Sequence, residues 1–280
     1  VIPYLANLHI PEEDAVALET PMARQVDKSA IVDIVVIHLP RISNFDDFDP
    51  FNADIGVSVR YLTNPGELGN PDAIIIPGTK STVADLAWLR SNDLDASIID
   101  YAFNGGALVG ICGGFQMLGE LILDPHQVES QARSTPGLGL LPIQTVFSLE
   151  KATYQARARI QPAPGWLTAL EGHTVSGYEI HMGRTQGNSS WLDITSRNND
   201  RVSKRDGAIT PDGRIWGCYL HGMFENQDFR HAWLASLGWK PNFNQTQVPT
   251  DQFSKALTYL ADAVEAALDM DLLEAMIWGN

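Results

Sequence analysis

Apolar positions follow two rhythms along this chain, and the change of rhythm falls near residue 136. Ile31 to Leu39 (IVDIVVIHL) is a near-continuous β-branched run and predicts a buried parallel strand. Ser43 to Asp54, rich in Asp and Asn, predicts a loop. Gly56 to Leu62 alternates as a second strand, and Ala73 to Ile76 is a third that stops at Pro77-Gly78. Thr82 to Phe103 carries Leu86, Leu89, Leu94, Ile98 and Ile99 and predicts one long helix. Ala107 to Ile111 is again strand-like, and Phe115 to Leu121 reads as a helix. This alternation predicts an α/β fold with a mostly parallel central sheet flanked by helices.

After Pro136-Gly137 the strand-like segments are Val146 to Ile160, Val175 to Ile180 and Arg214 to Tyr219, separated by turn residues such as Pro211-Asp212-Gly213. This half predicts antiparallel or mixed pairing. Asn226 is placed to start a helix carrying Phe229, Trp233, Leu234 and Leu237 that stops at Gly238. Thr250 to Ile277 repeats apolar residues at three- and four-residue steps, which predicts one amphipathic helix whose apolar face packs on its own domain. Residues 1–29, broken by Pro3, Pro11 and Pro21, read as the end of a preceding domain plus a linker. The main domain is then expected over residues 30–280. The opening Val1-Ile2-Pro3-Tyr4-Leu5, in mid-strand style, reads as the C-terminal part of a longer polypeptide.

The chain has 280 residues, enough for one large or two modest domains, and its 44% hydrophobic content is that of a globular protein. A formal net charge of −15 argues against nucleic acid and anionic membrane surfaces as partners. Only Cys112 and Cys218 are present, which excludes a disulfide framework and a zinc knuckle and predicts a reducing, cytoplasmic setting. No apolar run reaches membrane-spanning length, and no metal site is expected.

Candidate chemistry centres on Gly110-Ile111-Cys112-Gly113-Gly114. A cysteine on a glycine-flanked strand-to-helix turn is the thiol version of the nucleophile elbow. The following helix start favours a thiolate, and the N–H of Gly113 is placed to hold an oxyanion. The competing reading is a buried core cysteine, against which three neighbouring glycines weigh. A base must come from the seven histidines. His38 ends a core strand, and His9, His126, His173 and His231 carry no partner signal. His221, at a strand end before Gly222, is the expected base; His181, before Met182-Gly183, is an expected substrate contact. Gly78 or Thr79, at the carboxyl edge of the third strand, is the expected second oxyanion donor. Pro77 to Thr82 does not fit a phosphate loop, because Thr79 stands where glycine must precede the lysine.

Gly110 to Gln116, Gly177 to Thr185 (GYEIHMGRT) and Tyr219-Leu220-His221-Gly222 together resemble the glutamine amidotransferase domain of the cobyric acid synthase family. Pro77 to Thr82, with Asp85-Leu86 and Trp88-Leu89, is similar to the same family. The opening Ile2-Pro3-Tyr4-Leu5 with Pro11 to Asp14 resembles the end of that family's ATP-dependent synthetase domain. The resemblance implies a flavodoxin-like amidotransferase fold. It implies that Cys112 attacks the side-chain amide of L-glutamine, with His221 as proton carrier, and that ammonia passes to the N-terminal synthetase domain. There ATP and Mg²⁺, neither bound by this chain, would serve the amidation of adenosylcobyrinic acid a,c-diamide to cobyric acid. Gln116, Glu179, His181 and Arg184 fall in motifs implied to bind substrate. A planar guanidinium at Arg184 suits a carboxylate; the competing reading is a solvated surface arginine.

Many amidotransferases of this class carry a glutamate two residues after the histidine. Met223 stands there, the nearest acid is Glu225, and Glu179 is the expected substitute. A cysteine hydrolase or glyoxalase-like protein on the same elbow, a non-catalytic scaffold, and the amidotransferase subunit of another ATP-dependent ligase are the alternatives.

Overall fold

The computed structural model describes Leu5, residues 30–240 and residues 252–279. The chain divides into two compact units, residues 15–241 and residues 1–14 with 242–280. The boundary expected from the sequence, at 29/30, falls at the edge of the described residues.

Six short, mostly apolar strands build the first sheet. β1 (Val32–Ile37), β2 (Val57–Leu62) and β3 (Ala73–Ile76) fall where expected. The helical stretch after them is split into α1 (Thr82–Ser91) and α2 (Leu94–Phe103). Asp93 takes a left-handed φ of 56° between them, a conformation that Asp tolerates better than most residues and that no helix continues through. β4 (Ala107–Ile111) leads into α3 (Gly113–Leu118), which starts and ends earlier than expected. Gly119 follows it in extended conformation, and Leu121 begins β5 (Leu121–Leu123).

β6 (Ser134–Pro136), the 18-residue β7 (Ile143–Ile160), β8 (Thr174–Gly187), β9 (Leu192–Arg197) and β10 (Asp200–Asp206) follow. β11 (Ala208–Ile209), β12 (Ile215–Cys218) and α4 (Gln227–Ser236) complete this unit. The first sheet runs β11-β12-β4-β3-β1-β2, parallel except for the β11–β12 pair. The second runs β10-β9-β7-β5-β6 with β8 on β7, antiparallel apart from β5–β7. The mostly parallel sheet and the mixed second half thus match the expectation. β9 and β10 had no clear sequence signal: β10 is an edge strand of sequence DRVSKRD, and edges carry charge in place of apolar alternation.

The Asp-rich segment expected as a loop is a 3-10 helix, Phe45–Ala53. Phe48 and Phe51 are buried, and Phe51 packs on Phe224 and Trp233 with ring centroids 4.6 and 5.7 Å away. In the other unit the expected single helix is two, α5 (Gln252–Ala267) and α6 (Met270–Trp278). Asp269 ends the first turn-by-turn run by capping the second: its side chain accepts the Leu272 N–H at 3.0 Å. Leu257, Leu272, Met276, Ile277 and Trp278 on these two helices are exposed, and Leu260 and Val264 are half-buried. No helix of the described residues is long and apolar enough to cross a membrane.

Candidate active site

Three strand ends meet at the carboxyl edge of the first sheet. Register pairs Ile76 with Gly110 and Ile111 with Cys218, so the segments that follow β3, β4 and β12 converge. These carry Gly78, Cys112 and His221. Cys112 has φ 51° and ψ −106°, a backbone that costs a non-glycine residue on the order of 1–3 kcal/mol. The glycines around it are required by space. A Cβ on Gly114 would lie 1.9 Å from the Ile76 carbonyl oxygen, and one on Gly110 would lie 2.7 Å from the Phe115 nitrogen. The turn is held by Cys112 N–H to the Cys218 carbonyl at 2.9 Å and Gly114 N–H to the Pro77 carbonyl at 3.1 Å.

The Cys112 side chain is 6% exposed, and its thiol donates to the Ile180 carbonyl at 3.5 Å. His221 is fully buried and lies near enough to Cys112 for the two side chains to interact. Its backbone exchanges two hydrogen bonds with Tyr178, whose ring stacks on the imidazole at 5.2 Å and 17°. The Nδ1–H donates to Asp47 Oδ2 at 2.7 Å, and the N–H of Gly222 donates to Asp47 Oδ1 at 2.8 Å. Nδ1 being held, Nε2 is left for Cys112. Burial alone would lower the imidazole pKa; the charge and hydrogen bond of Asp47, with the contact to Cys112, outweigh it and raise it to about 10. The His–Asp unit is therefore a buried imidazolium–carboxylate pair at neutral pH.

Asp47 occupies the place in which Glu179 was expected. Glu179 instead accepts Arg197 Nε and NH2, both at 2.7 Å, and His181 Nε2 at 3.2 Å. Glu225 is exposed and Met223 is buried. Asp47 escaped the sequence reading because nothing local links it to a histidine 174 residues away. One signal was present: Phe45, Phe48 and Phe51 recur at three-residue steps, the period of a 3-10 helix, with the aspartates between them.

Gly78 abuts the imidazole: a Cβ there would lie 2.9 Å from His221 Cε1. One on Gly113 would meet Thr79 Cγ2 at 2.6 Å and Thr79 N at 3.2 Å. The two expected oxyanion positions thus border the same small space beside Cys112. Gly113 opens α3, where the N–H has no intrahelical partner. Thr79 is fixed by its hydroxyl donating to the buried Asp85 at 2.5 Å, and Asp85 is in turn ion-paired to Arg41 at 2.9 Å.

Gln116 is buried with both ends of its amide engaged. Oε1 accepts the Thr82 hydroxyl at 2.8 Å and Nε2 donates to the Tyr219 hydroxyl at 3.1 Å. β8 forms a wall. Tyr178 meets His221 on one side, whereas Glu179 and His181 alternate to the other. There they line a cavity of about 390 Å³ with Arg184, Arg197, Lys204 and Asp206. His181 stacks on Tyr219 at 3.8 Å. Neither Cys112 nor His221 lines that cavity. Arg184 reaches the surface and pairs with Glu150 at 2.7 Å, both side chains being mostly exposed.

Residues 33–229 match the CobB/CobQ-like glutamine amidotransferase domain family. The chain is similar to cobyric acid synthase of Roseiflexus castenholzii, at 46% identity over 94% of this chain and 52% of the relative. It is likewise similar to cobyric acid synthases of Chloroflexus aggregans, at 44% over 99% and 54%, and of Moorella thermoacetica, at 42% over 99% and 54%. The chain spans about half the length of these curated relatives. Among solved structures the fold matches PurLQS from Thermotoga maritima, with a TM-score of 0.55 and 18% identity over 74% of this chain and 98% of that one. It also matches a glutamine amidotransferase with a TM-score of 0.51 and 15% identity over 74% and 99%.

Proposed function

This chain belongs to the CobB/CobQ-like glutamine amidotransferase domain family, and from that premise we propose that Cys112, His221 and Asp47 hydrolyse glutamine through a thioester. The observation that carries the proposal is the buried His221, held by Asp47 on one nitrogen and in contact with Cys112.

With the imidazole protonated at neutral pH, the positive charge beside Cys112 favours the thiolate as the attacking form. Sγ attacks the side-chain amide carbon of glutamine. The N–H groups of Gly113 and of Gly78 or Thr79 hold the oxyanion. Nε2–H gives its proton to the amide nitrogen, the C–N bond breaks and ammonia leaves. Water then attacks the thioester, Nε2 takes its proton, the C–S bond breaks and glutamate departs. Asp47 keeps the ring oriented and stabilises its charge through both steps, as the carboxylate of a nucleophile–base–acid triad does. Gln116 walls the substrate's place together with Thr82 and Tyr219. Glu179 and His181 act from behind β8, holding the strand whose Ile180 carbonyl meets the thiol.

The names of the relatives support a place in cobalamin biosynthesis. In that setting the ammonia passes to an N-terminal synthetase domain of the same cytoplasmic polypeptide. There ATP and Mg²⁺ activate carboxylates of adenosylcobyrinic acid a,c-diamide to yield cobyric acid. The acidity of this chain would repel so anionic a corrinoid, which assigns corrinoid binding to the other domain.

The test uses the full-length polypeptide. Wild type should form the corrinoid amides from glutamine or from ammonium salts. Cys112→Ala should lose the glutamine-supported reaction and keep the ammonium-supported one. Glutamine-supported amidation by Cys112→Ala would overturn the proposal.

A further inference from the structure

The C-terminal helices present a built apolar face. On α6, Leu273, Met276 and Ile277 recur at three- and four-residue steps, with Leu272 beside them. Met276, Ile277 and Trp278 are 72%, 60% and 74% exposed, and Leu257 and Leu268 extend the exposed apolar surface onto α5 and the joint. The face is specified by the chain: the Asp269 cap sets where α6 begins and so which side its apolar residues share. Exposed large apolar side chains gathered on one short helix mark an interaction site.

Two observations identify the occupant. The opening Ile2 to Leu5 and Pro11 to Asp14 resemble the end of a synthetase domain, and the chain spans about half the length of its relatives. Charge then argues against a lipid surface. Residues 252–280 carry Asp262, Glu265, Asp269, Asp271 and Glu274 against Lys255 alone, whereas helices that lie on anionic membranes are basic.

We propose that α5 and α6 are the docking element for the domain that precedes residue 1 in the full-length polypeptide, whose matching surface is apolar with a basic rim. The C-terminal segment, after completing the amidotransferase unit, returns to cover the other domain. It thereby ties the ammonia-producing and ammonia-using halves together at a point remote in sequence from the linker. The docking itself does not rest on the glutaminase reading; the tie between ammonia-producing and ammonia-using halves does.

The test is photo-crosslinking in the full-length protein with Met276→p-benzoylphenylalanine, and with Trp278→p-benzoylphenylalanine as a second position. Copies of natural and ¹⁵N content are mixed before irradiation, and the adducts are mapped by mass spectrometry. The expected result is adducts from both positions to residues before residue 1, each joining segments of one isotopic content. Adducts of mixed isotopic content would make the face a seam between two copies. That result, adducts confined to residues 15–241, or no adduct in protein that melts as wild type would each overturn the proposal. The double variant M276D/I277D is independent of the photochemistry. It should lower the unfolding midpoint of the preceding domain while iodoacetamide modifies Cys112 at the wild-type rate; an unchanged midpoint would overturn the proposal.

Discussion

Asp47 grips both the ring and the backbone of the His221 segment: Oδ2 accepts the Nδ1–H at 2.7 Å and Oδ1 accepts the Gly222 N–H at 2.8 Å. Two acceptors on one carboxylate fix the tautomer, the ring plane and the strand end at once. The aspartate comes from a 3-10 helix and the histidine from the end of β12. The relationship is therefore a product of the fold, with no counterpart in local sequence.

Asp47→Asn should lower kcat/KM for glutamine by about 10²- to 10⁴-fold, the range for a disabled acid–base group. Its pH profile separates this role from mere packing. Loss of the imidazolium, near pH 10 in the wild type, sets the alkaline limb. Without the carboxylate that raises the pKa, this limb moves to lower pH. Stability follows the same sign. A pKa raised on folding, from 6.5 to about 10, contributes stability that is complete below 6.5 and lost as the pH climbs to about 10. Urea unfolding of the wild type should show that decline, and Asp47→Asn should flatten it. An alkaline limb unmoved by the substitution would exclude Asp47 from the site.

Glu179→Gln should behave differently. Burial alone would raise this carboxyl's pKa, and the hydrogen bonds from His181 and Arg197 bring it below its ordinary 4.5. Its contribution is thus present above that value and lost as the pH falls through the folded-state value. The substitution leaves the largely buried Arg197 short of its counter-charge, and about 3–5 kcal/mol of stability should go at neutral pH. The alkaline limb of kcat/KM should stay where the wild type has it. A shifted limb would restore Glu179 as the third catalytic member.

Gly114→Ala tests the turn itself. The added methyl would be driven against the Ile76 carbonyl, which is rigid backbone in β3, so the elbow must deform. A loss of about 1–3 kcal/mol in thermal unfolding is expected, with loss of glutamine hydrolysis. An unchanged melting temperature with full activity would mean that the nucleophile does not depend on this close packing.

The two thiols should differ in reactivity. Cys218 is fully buried, and its pKa is pushed well up by burial first and by nearby carboxylates second. Near neutral pH, iodoacetamide should modify Cys112 rapidly and Cys218 only on unfolding. Comparable rates at both positions in folded protein would contradict Cys112 as the nucleophile.

Much of this site can be read from sequence, because its parts are local. β-Branched runs give β1 and β3, and the glycines flanking Cys112 give the elbow. A histidine at a strand end gives His221. What depends on distant contact was hidden. The Asp47–His221 bond joins segments 174 residues apart, and the engagement of Gln116 by Thr82 and Tyr219 joins three elements. The wall-like role of β8 also needed the second sheet, whose charged edge strand lacks apolar alternation. The breaks at Asp93 and Asp269 were missed for a different reason. Apolar spacing continues across both, while a single aspartate decides the backbone or the cap.

The central claim is a covalent one and is best tested on the covalent species. Full-length protein turning over glutamine is quenched in acid within the first turnovers and digested, and its peptides are weighed. The account predicts a γ-glutamyl adduct on the peptide carrying Cys112, accumulating in wild type and absent from Cys112→Ala. Steady glutamine hydrolysis by Cys112→Ala, or an adduct found on Cys218 instead, would contradict it.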